Sequence, residues 1–123
     1  MLVYQEDDEK YSVYFSKSKT GDYIFINCYS SLTSETLWID ANNPKSAPQI
    51  FLKRKQGHLY SVTHHGNGFY ITSNDNAPNF KILFARTIPK SLSQCKEFQK
   101  TSEETYINGI SSFQEFLVIQ ERT

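Results

Sequence analysis

A serine hydrolase nucleophile sits on a strained strand-to-helix turn, G-x-S-x-G, which exposes its hydroxyl beside an oxyanion hole. The nearest approach in this 123-residue chain is Gly109-Ile-Ser111-Ser112-Phe113, which lacks the final glycine and has no helical pattern after it. His58, His64 and His65 are the three histidines. Neighbouring residues on a strand point to opposite faces, so His64 and His65 do not share one metal. His58 and His64 would stand roughly 20 Å apart along a regular strand at ~3.3 Å per residue. The histidines are therefore expected to bond neighbouring turns or an interface. Glu6-Asp-Asp-Glu9 gathers four carboxylates but lacks the central glycine and final glutamate of a calcium loop. It reads as a solvated turn, with a secondary reading as part of a negative potential that attracts basic peptides. Lys53-Arg-Lys55 reads as a solvated loop without the aromatic interleaving of a nucleic-acid surface. Trp38, between Leu37 and Ile39, is expected to fill a gap between packed sheets rather than to stack on a ligand. No catalytic, cofactor-binding or metal-ligating residue is assigned, and no cofactor is expected.

The elements that would position these residues are strands. Aromatic residues make up 15% of the chain, and such bulky side chains favour sheet over helix. Lys plus Arg and Asp plus Glu both total 13, so no global field draws the chain to nucleic acid or to a membrane. No apolar run reaches the ~20 residues of a membrane span. The two cysteines, Cys28 and Cys95, form no framework, and no Asn-x-Ser/Thr acceptor is present. Free thiols in a reducing cytoplasm are the expectation.

Short β-runs alternate with turn chemistry along the chain. Tyr11–Phe15, Tyr23–Ile26, Thr36–Ile39 and Gln49–Leu52 form one group, with Asp40-Ala-Asn-Asn-Pro44 bending the chain inside it. Leu59–Val62, Phe69–Thr72 and Phe80–Phe84 begin a second, with turns at His65–Gly68 and Asn74–Asn79. Ser91–Thr105 reads as a linker holding a short outer strand or a helical turn. A third group starts near Ile107 and continues through Glu115–Ile119. Equivalent positions (Val13, Val62 and Ile110; Tyr23, Phe69 and Phe116) recur at about 46–49 residues, the period of a four-stranded propeller blade. The fold class is therefore all-β: a partial β-propeller of about two and a half blades, with units at about 11–54, 58–100 and 106–123. Propellers close with roughly four to eight blades. The chain is thus expected to be a fragment whose open blade faces invite self-association.

Several segments resemble the N-terminal propeller of the prolyl oligopeptidase family, most closely its oligopeptidase B (protease II) branch. They are the acidic Tyr4–Tyr11 turn, the hairpin Ser16-Lys-Ser-Lys-Thr-Gly-Asp-Tyr-Ile-Phe-Ile26, and Thr33-Ser-Glu35 followed by Leu37-Trp-Ile-Asp40. The strongest is Tyr60-Ser-Val-Thr-His-His-Gly66 with Phe69-Tyr-Ile71, Thr72-Ser-Asn-Asp75 and Asn79-Phe80, where Thr63 replaces an expected acidic residue. The likeness covers most of residues 2 to 86. It implies a seven-bladed propeller capping an α/β-hydrolase peptidase domain that carries a Ser-Asp-His triad and cleaves short peptides after Lys or Arg. The propeller would gate access to that domain, which this chain does not contain. No triad residue carries over, so the chain alone should be inactive. The rival expectation is a stand-alone β-rich interaction module, binding a partner through exposed blade faces or edge strands.

Overall fold

The computed structural model describes residues 11–18, 21–66, 68–99, 106–112 and 117–122. Among them ten strands form three antiparallel sheets. The first sheet orders β1 (Ser12–Lys17), β2 (Tyr23–Tyr29), β3 (Ser34–Asp40) and β4 (Gln49–Ile50). The second orders β5 (Tyr60–His65), β6 (Gly68–Ser73), β7 (Lys81–Ala85) and β8 (Lys96–Gln99). The third pairs β9 (Tyr106–Ser112) with β10 (Leu117–Arg122). This is the expected partial propeller, with blades of sequential antiparallel strands. Val13, Val62 and Ile110 each fall on the first strand of a sheet, and Tyr23 and Phe69 on the second. Phe116 and the acidic run Glu6–Glu9 lie outside the described residues.

Alternation along β2 and β3 sends side chains to two different cores. Phe25 pairs with Trp38 and both join the seam between the first and second sheets, where Phe51, Leu52, Tyr60, Phe69, Ile71, Leu83 and Ala85 are buried. Trp38 thus occupies the gap between blades, as expected. The alternate residues Ile26, Cys28, Leu37 and Ile39 form a separate cluster on the opposite face of the first sheet. These four residues are all buried, whereas Val13 and Phe15, opposite Cys28 and Ile26 on the same face, are exposed. Further exposed apolar residues are Tyr14, Tyr29, Leu32, Ile50 and Phe98.

Two strand boundaries differ from the sequence expectation for one reason. The run Gln49–Leu52 stops as a strand at Ile50 because Phe51 and Leu52 leave the ladder to enter the seam, at 2% and 4% exposure. Ser91–Thr105 yields both of its alternatives in succession: a 3-10 turn at Leu92–Gln94, then β8. Residues 100–105 of that stretch are outside the described residues. The two cysteines are free, Cys28 in the outer cluster and Cys95 against the seam core.

The β5–β6 hairpin depends on a glycine for space. A Cβ on Gly68 would lie 2.4 Å from the Phe84 ring and 3.2 Å from the Ala85 carbonyl oxygen. Gly68→Ala must push Phe84 out of its place against Tyr70, whose ring lies 5.0 Å away. Overpacking of this kind costs about 1–3 kcal/mol, to be read from a urea unfolding curve.

Candidate functional site

Some of the residues that carried the resemblance, Thr33, Ser34, Glu35, Tyr60 and Asn74, meet at the crossover from β4 to β5. Chain running between two apolar sheets must find a partner for every backbone N–H and C=O it buries. Here side chains from the flanking sheets supply them. The Tyr60 hydroxyl donates to the Leu52 carbonyl oxygen at 2.6 Å and accepts from the N–H groups of Thr36 (2.7 Å) and Leu52 (3.2 Å). The Ser34 hydroxyl donates to the Tyr60 carbonyl and accepts from the Tyr60 N–H, both at 2.8 Å. The Ser34 N–H donates to the His58 carbonyl at 3.0 Å. Thr33 Oγ1 accepts from the Gly57 N–H at 3.0 Å. From the second sheet's side, Asn74 Oδ1 accepts from the Leu59 N–H at 2.8 Å while its Nδ2 donates to the Gly57 carbonyl at 3.1 Å. Gly57 turns the chain at φ +85°, a conformation that L side chains rarely adopt.

An ion pair between a buried carboxylate and a half-buried guanidinium completes the joint. Glu35, 5% exposed, accepts from the Arg54 N–H at 2.8 Å and from Arg54 Nε at 3.0 Å, with Nη2 also 3.0 Å away. The guanidinium lies over the Tyr11 ring, 4.0 Å from its centroid. The basic triplet Lys53-Arg-Lys55 was read as solvated, and for Arg54 that is corrected: its fork is the partner that lets Glu35 be buried. Lys55 remains exposed and pairs with Asp75 at 3.3 Å. His58 is 4% exposed, shares a 2.8 Å hydrogen bond with Ser73 Oγ and stacks on Tyr60. His64 packs against Tyr23 and Phe69 at 4.8 Å, within the seam. Burial pushes both imidazoles below their ordinary range. Asp75 opposes this at His58 and Asp22 at His64. Burial also raises the Tyr60 phenol, which stays a neutral donor.

At the opposite end of the same seam a cleft of about 330 Å³ opens, lined by Asp22, Tyr23, Asp40, Asn42, His64 and Gly66. Tyr23 and Asp40 face each other across the β2–β3 ladder. Burial raises the Tyr23 phenol, and the Asp22 and Asp40 charges raise it further. The cleft has two carboxylates and aromatic walls, a surface suited to cationic groups. The serine run near Gly109 lies within β9, with Ser111 opposite Val118 in the ladder rather than on a strand-to-helix elbow. Sequence reasoning assigned no role to Tyr60, Ser34 or Asn74. Their only signal was membership of the family-like runs, because their partners lie 8 to 26 residues away.

The family model described as "Prolyl oligopeptidase, N-terminal beta-propeller domain" matches residues 1–123. The chain belongs to the prolyl oligopeptidase family. It is 33% identical over 121 residues to Protease 2 of Moraxella lacunata, covering 98% of this chain and 17% of that protein. Dipeptidyl aminopeptidase BI of Pseudoxanthomonas mexicana is 29% identical over 122 residues, again 17% of its length. Oligopeptidase B from Trypanosoma brucei, solved with covalently bound antipain, superposes with a TM-score of 0.87 at 25% identity over 98% of this chain and 17% of that one. The chain thus spans about a sixth of the length of these relatives.

The joint yields two expectations for this prolyl oligopeptidase propeller segment. Tyr60→Phe leaves the Leu52 carbonyl and two buried N–H groups without their partner, and should cost about 2–3 kcal/mol in urea unfolding. Arg54→Met strands the Glu35 carboxylate and should cost about 3–5 kcal/mol. The double variant Glu35→Gln/Arg54→Met should recover part of that loss.

Proposed function

We propose that this chain is a non-catalytic segment of the propeller of a cytoplasmic serine oligopeptidase, which cleaves short peptides after Lys or Arg. In this reading its units at about 11–54, 58–100 and 106–123 are successive blades. The propeller caps an α/β-hydrolase domain and admits only small, flexible peptides. The observation that carries the reading is the match of nearly the whole chain to oligopeptidase B at a TM-score of 0.87. The antipain-bound state of that relative is consistent with a peptidase acting on short chains. The carboxylates of Asp22 and Asp40 in a cleft between two blades add a negative field that would concentrate basic peptides near the entrance. Free Cys28 and Cys95 suit a reducing compartment.

The test uses the complete polypeptide that carries this chain. It should release a fluorophore from Arg- and Lys-terminated dipeptide substrates and leave folded proteins intact. Preference for proline substrates, or equal hydrolysis of long unfolded chains, would remove the specificity or the gating respectively. The 123-residue chain alone should show no hydrolysis. In light scattering it should run as a dimer or larger, because among the described residues β1 is the edge of its sheet, beside exposed Val13, Tyr14 and Phe15. A well-folded monomer that captures a specific partner would favour the interaction-module reading.

A further inference from the structure

Beside the joint a second opening, of about 290 Å³, brings all three sheets together. Tyr29 contributes from the first sheet, Ser61 and Thr72 from the second with Phe80 of its β6–β7 turn, and Tyr106 from the third. Ser61 and Thr72 face each other across the β5–β6 ladder. Thr72 alternates with Ile71 and Ser73, which face the first seam, so its side chain turns the other way, toward the groove. Phe80 and Tyr106 meet edge-on with centroids 5.6 Å apart, and Tyr29, 44% exposed, stands at the rim. Among the described residues no charged side chain lines this groove, whereas Asp22 and Asp40 line the cleft at the other end of the seam.

The hydroxyls of the groove are not equivalent. Ser30 bonds the Thr33 backbone, and Ser34 bonds both backbone groups of Tyr60. The Tyr60 hydroxyl is committed to Leu52 and Thr36. Thr72 is the exception: it is 5% exposed, yet its hydroxyl bonds no described residue. Every sealed side-chain polar atom among the described residues has a partner, so the Thr72 oxygen is open to the groove rather than enclosed. Its strand neighbour Ile71 and its ladder partner Ile82 are wholly buried and apolar. A hydroxyl left unmet in such surroundings costs stability, and a ligand that bonds it removes the penalty.

We propose that this groove binds a phenol side chain, as a tyrosyl residue of a peptide presents it, with the ring between Tyr29 and the Phe80–Tyr106 pair and its hydroxyl bonded to Thr72. An uncharged lining selects a neutral group, because an unpaired charge taken out of water costs far more than a hydroxyl. Aromatic walls favour a ring in edge-to-face contact. The volume lies at the lower end of small-molecule sites, with room for one side chain rather than a run of them. A threonine hydroxyl both donates and accepts, so it serves a phenol and is left unpaired by a phenyl ring. The site is separate from the Lys/Arg preference proposed above and stands or falls without it.

The test is saturation-transfer NMR on the 123-residue chain, with N-acetyl-tyrosinamide, N-acetyl-phenylalaninamide and N-acetyl-lysinamide as probes. The tyrosine probe should bind with a Kd on the order of millimolar, roughly three- to tenfold tighter than the phenylalanine probe, the effect of one net hydrogen bond. The lysine probe, which the carboxylate cleft can attract, should not displace it. Thr72→Val keeps the β-branched shape that suits β6. It should bring the tyrosine probe down to the affinity of the phenylalanine probe and leave the latter unchanged. Equal binding of the two aromatic probes, no saturation of either, displacement by the lysine probe, or a tyrosine preference that survives Thr72→Val would each overturn the proposal. If that variant does not fold, amide shifts of the native chain on adding the tyrosine probe decide. They must appear at Ser61, Thr72 and Tyr106, and shifts confined to other residues defeat the site.

Discussion

The crossover from Phe51 to Tyr60 is where the cost of building a propeller is concentrated. A blade is nearly self-sufficient in hydrogen bonds, because its strands are antiparallel and sequential. The segment that joins one blade to the next has no ladder, yet it runs against the seam core with Phe51, Leu52, His58 and Tyr60 all buried. An unpaired buried amide costs about as much as a lost hydrogen bond. The chain meets that demand with side chains placed at the starts and ends of strands on both sides: Thr33, Ser34 and Glu35 from one blade, Tyr60, Ser73 and Asn74 from the other. No buried polar side-chain atom among the described residues is left without a partner.

Seam aromatics can be exchanged for others of similar volume with modest loss. The Ser34 hydroxyl bonds both backbone groups of Tyr60, and few side chains could do so from that position. At the other end of the seam the β2–β3 ladder brings Asp22 and Asp40 together in the first sheet, and His64 of the second sheet joins them in the cleft. A further connection continues the fan. The Asn79 carbonyl accepts from the Ile107 N–H at 3.0 Å, and Phe80, held at φ +70°, meets the Tyr106 ring. A bulky residue in that region of backbone space is strained, and the contact with the third sheet offsets the strain.

The strands were legible because sheet leaves a local trace. Tyr23–Ile26 and Phe69–Thr72 are runs of apolar residues bounded by glycine turns, and their spacing states the repeat. The ends of strands were less legible where a side chain found a better partner elsewhere, as Phe51 and Leu52 did. Arg54 illustrates the limit in another way. Three basic residues in a row look solvated until a carboxylate 19 positions earlier is folded against the middle one.

By itself the sequence determined the all-β class, the blade period, the absence of a nucleophile elbow and the family likeness, since each is written in residue type and local spacing. Tertiary structure alone decided which residues form the joint, that Ile26, Cys28, Leu37 and Ile39 are buried on the outer face of the first sheet while Val13 and Phe15 of that face stay exposed, and that two aspartates and a histidine share one cleft. Periodicity reports which face of a strand is apolar. It does not report which distant side chain will satisfy a buried hydrogen bond, because that depends on the stacking of one sheet upon another.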